Sequence, residues 1–178
     1  MVMDNSFEPC DFVLFGTLGD LSRRKLLPSL YQLEKAELLH PETKIIGVAR
    51  QDVSTEDYKI EVRKNIEKFG DKDFCEETWA RMEERLQYAC VDMKNTESYQ
   101  VFDSVVDAKR TMVCYLATPP AIYGDICRGL HSCNIIDSSV RVVLEKPIGH
   151  DLESSKIIND QVSEYFKESQ IYRIDHYL

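Results

Sequence analysis

Asp11-Phe12-Val13-Leu14-Phe15-Gly16-Thr17-Leu18-Gly19-Asp20-Leu21-Ser22 is the stretch that decides the fold. Its short apolar run, which ends at Phe15, predicts a buried strand. The G-x-x-G-x-x-S spacing that follows fits a dinucleotide-binding turn. Gly16 permits a tight turn, Gly19 lets the backbone approach a pyrophosphate, and Ser22 allows close packing of helix on strand. The N-terminus of the next helix would supply free N–H groups and a partial positive charge for phosphates.

Other interpretations of this turn remain open at this point. It is not a Walker loop, because Lys25 is followed by Leu26 and the glycine spacing differs. Two glycines alone are a weak match, so an ordinary strand–helix turn is the alternative. The basic run Arg23-Arg24-Lys25 is either a solvated helix face or, at Lys25, a group that binds an anion.

Five more apolar runs follow along the chain and predict further strands, at 44–49, 88–91, 111–117, 140–144 and 170–174. Helical patterns lie between them, including one that begins with a capping box at Ser54 and stops at Gly70. Strands that alternate with helices predict an α/β protein with a Rossmann-like, doubly wound, mostly parallel sheet and helices on both faces. Residues 1–9 are expected to form a flexible polar tail, and 10–178 a single domain.

Composition excludes several classes of function. The 178 residues carry a net charge of −9, which argues against nucleic acid or an anionic membrane as the main partner. No signal peptide and no membrane-length apolar run is present. The six cysteines form no C-x-x-C pair, so we expect reduced core thiols in a cytoplasmic protein and no metal site.

Arg50-Gln51 follows the second predicted strand, where an NAD site would place an acidic residue for the ribose hydroxyls. A guanidinium pairs well with a 2′-phosphate, so the sequence predicts NADP. A solvated surface arginine is the alternative, and the nearby Asp52 weakens the NADP interpretation slightly.

The ends of the fourth and fifth predicted strands also carry candidate residues. Thr118-Pro119-Pro120 forms a rigid loop that either walls a nicotinamide pocket or simply starts the next helix. Lys146, held by Pro147, is suited to an anionic or polyhydroxyl ligand. Whether Pro147 is cis is left open by the sequence.

The last predicted strand leads into a dense group of functional side chains, Arg173-Ile174-Asp175-His176-Tyr177-Leu178. Adjacent residues of an extended chain point in opposite directions, so Asp175 and His176 would not pair with each other. Asp175 is better placed to orient another histidine, while His176 and Tyr177 could hold a ligand.

Together these motifs resemble the N-terminal coenzyme domain of the glucose-6-phosphate dehydrogenase family, from about Cys10 to Leu178. The matches are the first turn with its basic run, Gly47-Val48-Ala49-Arg50-Gln51, Glu145-Lys146-Pro147-Ile148-Gly149, and the terminal signature. The resemblance implies oxidation of glucose 6-phosphate to 6-phosphogluconolactone with reduction of NADP, the first step of the pentose phosphate pathway. It also implies a homo-oligomer formed through a further domain.

The resemblance implies a role for each matching residue. The coenzyme would be bound by Gly16, Thr17, Leu18, Gly19, Asp20, Leu21, Arg50, Gln51, Thr118, Pro119 and Lys146. Lys25 and Lys146 would face the sugar and the reacting centre. Lys146, His176 and Tyr177 would bind the substrate. Asp175 would orient a histidine base.

Two departures from the family pattern stand out. Leu18 occupies a turn position where Ala, Ser or Gly is usual. The terminal signature normally continues Gly-Lys-Glu, so we expect truncation inside this motif. The base histidine and the C-terminal substrate and dimerisation domain would then be absent, and this segment alone would be inactive. A free-standing NADP-binding module without catalysis is the alternative function.

Overall fold

The computed structural model describes residues 8–175 and shows a six-stranded sheet in which every pairing is parallel. The strands lie in the order β3-β2-β1-β4-β5-β6. Their bounds are β1 Cys10–Phe15, β2 Lys44–Ala49, β3 Leu86–Cys90, β4 Thr111–Leu116, β5 Arg141–Glu145 and β6 Ile171–Ile174. This order confirms the predicted doubly wound architecture. The direction of winding reverses between β1 and β4, which creates a crevice at the carboxyl ends of the strands.

Helices cover both faces of the sheet. They are α1 Leu27–Lys35, α2 Thr55–Phe69, α3 Glu76–Arg85, α4 Phe102–Val105, α5 Tyr123–Ser132 and α6 Leu152–Ser163. A π-helical turn, Ser22–Leu26, runs directly into α1 and places Pro28 in the first turn of that helix. Short 3₁₀ turns at Thr96–Val101, Pro120–Ile122 and Glu168–Gln170 complete the connections.

Several local predictions are confirmed at residue level. The Ser54 hydroxyl accepts a hydrogen bond from the Asp57 amide, as a helix N-cap should, and Gly70 ends α2. Between β3 and β4, where a helical pattern was predicted, the structure has a 3₁₀ turn followed by the four-residue α4. The third strand begins at Leu86, immediately after α3 ends at Arg85, rather than two residues later.

The core consists of two apolar layers, one on each face of the sheet. Val13 and Phe15 pack with α5 and α6 on one face, while Leu14 packs with α1, α2 and α3 on the other. Alternate residues of β1 are therefore buried on opposite faces, which is why the run is continuously apolar.

The six cysteines are all free. Cys114 and Cys127 are buried as predicted, and burial raises the pKa of the Cys127 thiol to about 12. Cys90 is exposed, so the expectation that every thiol belongs to the core is wrong. Cys90 is the last residue of β3, which is an edge strand of the sheet.

Candidate functional site

A crevice of about 670 Å³ opens at the carboxyl ends of the four strands β3, β2, β1 and β4. Its lining comes from the segments that follow these strands: Gly16, Leu18, Gly19, Ala49, Arg50, Gln51, Asp92, Met93, Lys94, Ala117, Thr118, Pro119 and Ile122. The predicted turn residues and the predicted Arg50-Gln51 pair therefore share one site.

The first turn is tight and closes on itself. Gly16 has a φ of +80°, and a Cβ added there would lie 2.4 Å from the Ala117 carbonyl oxygen. The Gly19 amide and the Ser22 hydroxyl both donate to the Gly16 carbonyl, at 2.9 Å each. Ser22 is fully buried, which confirms close packing of helix on strand. A glycine is thus required at position 16 on both steric and conformational grounds.

The amides after this turn form a cradle suited to an anion. Arg23 donates the first helical hydrogen bond, to the Gly19 carbonyl at 3.0 Å. The amides of Asp20 and Leu21 precede it and have no acceptor within the helix. Together with the helix dipole, they favour a phosphate at this end. The Asp20 carboxylate is offset by an ion pair with Arg24 at 2.9 Å.

Thr17 lies beneath the turn. It is fully buried, and its hydroxyl lies 2.6 Å from the Tyr58 hydroxyl on α2. Its amide donates to the Val48 carbonyl, as does that of Gly16. Thr17 therefore anchors the turn on β2 and α2, and its contact with a coenzyme stays a prediction.

Arg50 and Gln51 are both exposed after the end of β2. The backbone at Gln51 is fixed by a hydrogen bond from a buried side chain. The buried Tyr88 hydroxyl donates to the Gln51 carbonyl at 2.6 Å. Burial raises the pKa of Tyr88 to about 12, so this donor keeps its proton at neutral pH. The side chains of Arg50 and Gln51 therefore project from a fixed platform beside the crevice.

On the other side of the crevice, Thr118 and Pro119 follow β4. The Thr118 hydroxyl oxygen is buried and has no hydrogen-bond partner in the described part of the chain. Buried hydroxyls are nearly always paired, and this unpaired one belongs to a residue that lines the crevice. The loop is supported by the Tyr123 hydroxyl, which donates to the Leu116 carbonyl at 3.3 Å.

Lys146 and Asp175 lie further along the same edge of the sheet. Lys146 is exposed, its amide donates to the Ile174 carbonyl at 2.9 Å, and its bond to Pro147 is cis. It follows β5, three strand spacings or about 14 Å from the end of β2. Asp175 is exposed directly after β6. Neither residue lines the crevice, so they mark a separate part of the site.

Two other candidates, Lys25 and Leu21, do not line the crevice. Lys25 is exposed and lines a smaller cleft between the start of α1 and the end of α2. Leu21 is half-buried just behind the turn. His176 and Tyr177 lie outside the described residues.

The segment after β3 also belongs to the crevice, although it was not predicted from the sequence. Asp92, Met93 and Lys94 line the crevice beside Arg50. The rule that ligands lie beyond the carboxyl ends of parallel strands would have found them, had it been applied to the third strand as well.

Within residues 8–175 no group of His, Cys, Asp and Glu is arranged to hold a metal ion. None of the helices in that range combines the length and apolar character that a membrane crossing requires.

The sheet order, the glycine turn at the switch point and the amide cradle define a dinucleotide-binding domain of the Rossmann type. Comparison with known families identifies the family to which this domain belongs. The family model described as glucose-6-phosphate dehydrogenase, NAD binding domain, matches residues 13–178. The chain therefore belongs to the glucose-6-phosphate dehydrogenase family through this domain. The description of this family model assigns a nicotinamide dinucleotide to the domain, in agreement with the predicted class of coenzyme.

Individual relatives agree with this assignment. The chain is 45% identical to glucose-6-phosphate 1-dehydrogenase of Dickeya dadantii, over all of this chain and 36% of that protein. It is 40% identical to the enzyme of Mycolicibacterium smegmatis, over 96% of this chain and 36% of that protein. It thus spans about a third of the length of these relatives.

Solved structures give the same result in three dimensions. Glucose-6-phosphate 1-dehydrogenase from Mycobacterium avium superposes with a TM-score of 0.88 at 32% identity, over 96% of this chain and 36% of that one. A glucose-6-phosphate dehydrogenase in complex with its substrate glucose 6-phosphate gives 0.83 at 32% identity, over 96% of this chain and 37% of that one.

Proposed function

We propose that this chain binds NADP in the crevice and forms the coenzyme-binding part of an enzyme that oxidises glucose 6-phosphate to 6-phosphogluconolactone. The observation that carries this proposal is the position of Arg50 and Gln51 on the same crevice as the glycine turn. Family membership and the likeness to a structure solved with glucose 6-phosphate support the substrate.

The lining suggests how the coenzyme is oriented. Gly16 and Gly19, with the amides of Asp20 and Leu21, would hold the pyrophosphate. Arg50, with Gln51 beside it, would pair with the 2′-phosphate. Thr118 and Pro119, with Lys146 beyond them, would hold the nicotinamide half, because these residues follow the next strands in the sheet.

NADP held by these residues would supply the hydride acceptor for oxidation at C1 of the sugar. The chain's own residues bind and orient the substrate. Lys146 supplies a fixed positive charge toward the sugar and the reacting centre, and Lys25 belongs to the same proposal although it lines a different cleft. Asp175 orients the histidine that removes the C1 hydroxyl proton, and His176 and Tyr177 bind the substrate phosphate. That histidine lies outside this sequence in family members.

We place the reaction at the entry to the pentose phosphate pathway in the cytoplasm, within an enzyme that is a homo-oligomer through its other domain. Six free cysteines support a reducing compartment. The net charge of −9 makes nucleic acid an unfavourable partner.

Calorimetric titration with NADP and with NAD tests the coenzyme assignment. We expect NADP to bind the parent more tightly, and Arg50→Ala to lose about ten- to a hundredfold in NADP affinity with little change for NAD. Arg128→Ala is the matched control, because Arg128 is exposed on α5 and pairs with Asp125. Equal parent affinities for the two coenzymes, or undiminished NADP binding by Arg50→Ala, would refute the proposal.

A further inference from the structure

We propose that Lys94 is a second cation for the 2′-phosphate of NADP, and hence a residue that determines coenzyme specificity together with Arg50. This inference rests on the proposed function, because it assigns a binding group within the same crevice. It concerns the segment after β3, to which neither the glycine motif nor the Arg50-Gln51 pair refers.

Strand register places this segment next to Arg50. Ala49 pairs with Cys90, the last residues of β2 and β3, and the Val91 amide continues the ladder to the Ala49 carbonyl at 2.9 Å. The segments that follow the two strands therefore begin side by side. Arg50 and Lys94 both line the resulting corner of the crevice.

The loop that carries Lys94 is held in one conformation. The Asp92 carboxylate accepts from the Lys94 amide at 3.1 Å, and the Asp92 carbonyl accepts from the Asn95 amide at 2.9 Å. The fully buried Tyr99 donates its hydroxyl to the Met93 carbonyl at 3.1 Å. These bonds fold the chain back after β3, so that Lys94 returns to the crevice without a large loss of loop entropy on binding.

Electrostatics favours an anion at this corner. In residues 8–175 neither the Arg50 guanidinium nor the Lys94 ammonium makes an ion pair or a side-chain hydrogen bond with another residue. Of the charged residues that line the crevice, two are cationic and one, Asp92, is anionic. One oxygen of Asp92 is already engaged with a backbone amide. A dianionic 2′-phosphate would therefore meet a net positive corner, whereas the ribose hydroxyl of NAD gains little from it.

Titrations of Lys94→Gln test this role. We expect its NADP dissociation constant to rise about three- to tenfold, as for a partly exposed charge pair with a dianion, while that for NAD stays within about twofold. The same loss should appear with adenosine 2′,5′-bisphosphate and be absent with 5′-AMP, because these probes differ only in the 2′-phosphate. The loss should shrink as salt is added, and Lys94→Arg should retain most of the parent affinity.

Lys109→Gln is the matched control, because Lys109 is exposed in the turn before β4, at the opposite end of the sheet from the crevice. Unchanged NADP affinity in Lys94→Gln overturns the role of Lys94 and leaves the proposed function standing. An equal loss for NAD and NADP also overturns it, since the change would then have damaged the loop. A parent that fails to prefer NADP overturns both proposals.

Discussion

Replacing Gly16 by alanine should cost more stability than any other single methyl group added to the first turn. The φ of +80° is one that L-residues rarely adopt, and the strain is worth about 1–3 kcal/mol. The new Cβ would also lie 2.4 Å from the Ala117 carbonyl oxygen, a backbone atom of β4's exit loop that cannot rotate away. Overpacking of this kind adds about 1–3 kcal/mol. We therefore expect Gly16→Ala to lower the free energy of unfolding by about 2–6 kcal/mol.

Gly19→Ala should behave differently although it lies only three residues away. Its Cβ would lie 3.0 Å from the Gly16 carbonyl oxygen and 4.0 Å from that of Ala117, and its φ is not in the left-handed region. The methyl group fits with a small adjustment, so stability should change by no more than about 1 kcal/mol. Because Gly19 is exposed on the crevice, that methyl occupies space where we place the pyrophosphate. NADP affinity should fall by about tenfold or more.

Thermal and urea unfolding of both variants, with calorimetric NADP titration below the melting temperature, provide the test. For a domain of this size, the loss in Gly16→Ala corresponds to a fall in Tm of roughly 4–24 °C. Gly19→Ala should melt within a few degrees of the parent yet bind NADP poorly. A Gly16→Ala protein as stable as the parent would refute the steric argument. Parent-like NADP affinity in Gly19→Ala would refute the placement of the pyrophosphate.

Four further outcomes are expected. Tyr58→Phe should lower the free energy of unfolding, measured in urea, by about 1–3 kcal/mol, because the buried Thr17 hydroxyl loses its hydrogen-bond partner. Adding Thr17→Val should recover part of that loss. Arg85→Met should lower the free energy of unfolding by about 3–5 kcal/mol, because the buried Glu34 carboxylate then loses its buried partner and keeps the exposed Arg81. The double variant with Glu34→Gln should be more stable than Arg85→Met alone. The free energy of unfolding should be constant up to about pH 10 and fall as the pH rises toward 12. Burial raises the pKa of Tyr88 from 10.0 to about 12, so this tyrosine ionises at a lower pH in the unfolded chain than in the folded one. Tyr88→Phe should make stability depend less steeply on pH in this range. The 178-residue chain alone should form no measurable NADPH from glucose 6-phosphate, and absorbance at the level of a longer family enzyme would contradict the assignment of the base.

The residues around the first turn show how much can be predicted from sequence alone. Gly16, Gly19 and Ser22 act through their own backbone and their nearest neighbours, so spacing along the chain is enough to predict the tight turn. The strands could be predicted in the same way, because burial on both faces produces continuous apolar runs such as 44–49. Arg50 could be placed as well, since it directly follows such a run.

Thr17, Lys25 and Lys94 show what only the tertiary structure decided. Which side of a turn a residue faces depends on what packs beneath it, and Tyr58 draws the Thr17 hydroxyl away from the crevice. Lys25 is one turn of helix away from the cradle and borders another cleft. Lys94 is distant from Arg50 along the chain and reaches the same corner only because β2 and β3 are neighbours in the sheet. Local patterns report a residue's own burial, whereas strand order and crossovers decide which distant residues meet, and that information lies in packing between elements rather than in any one segment.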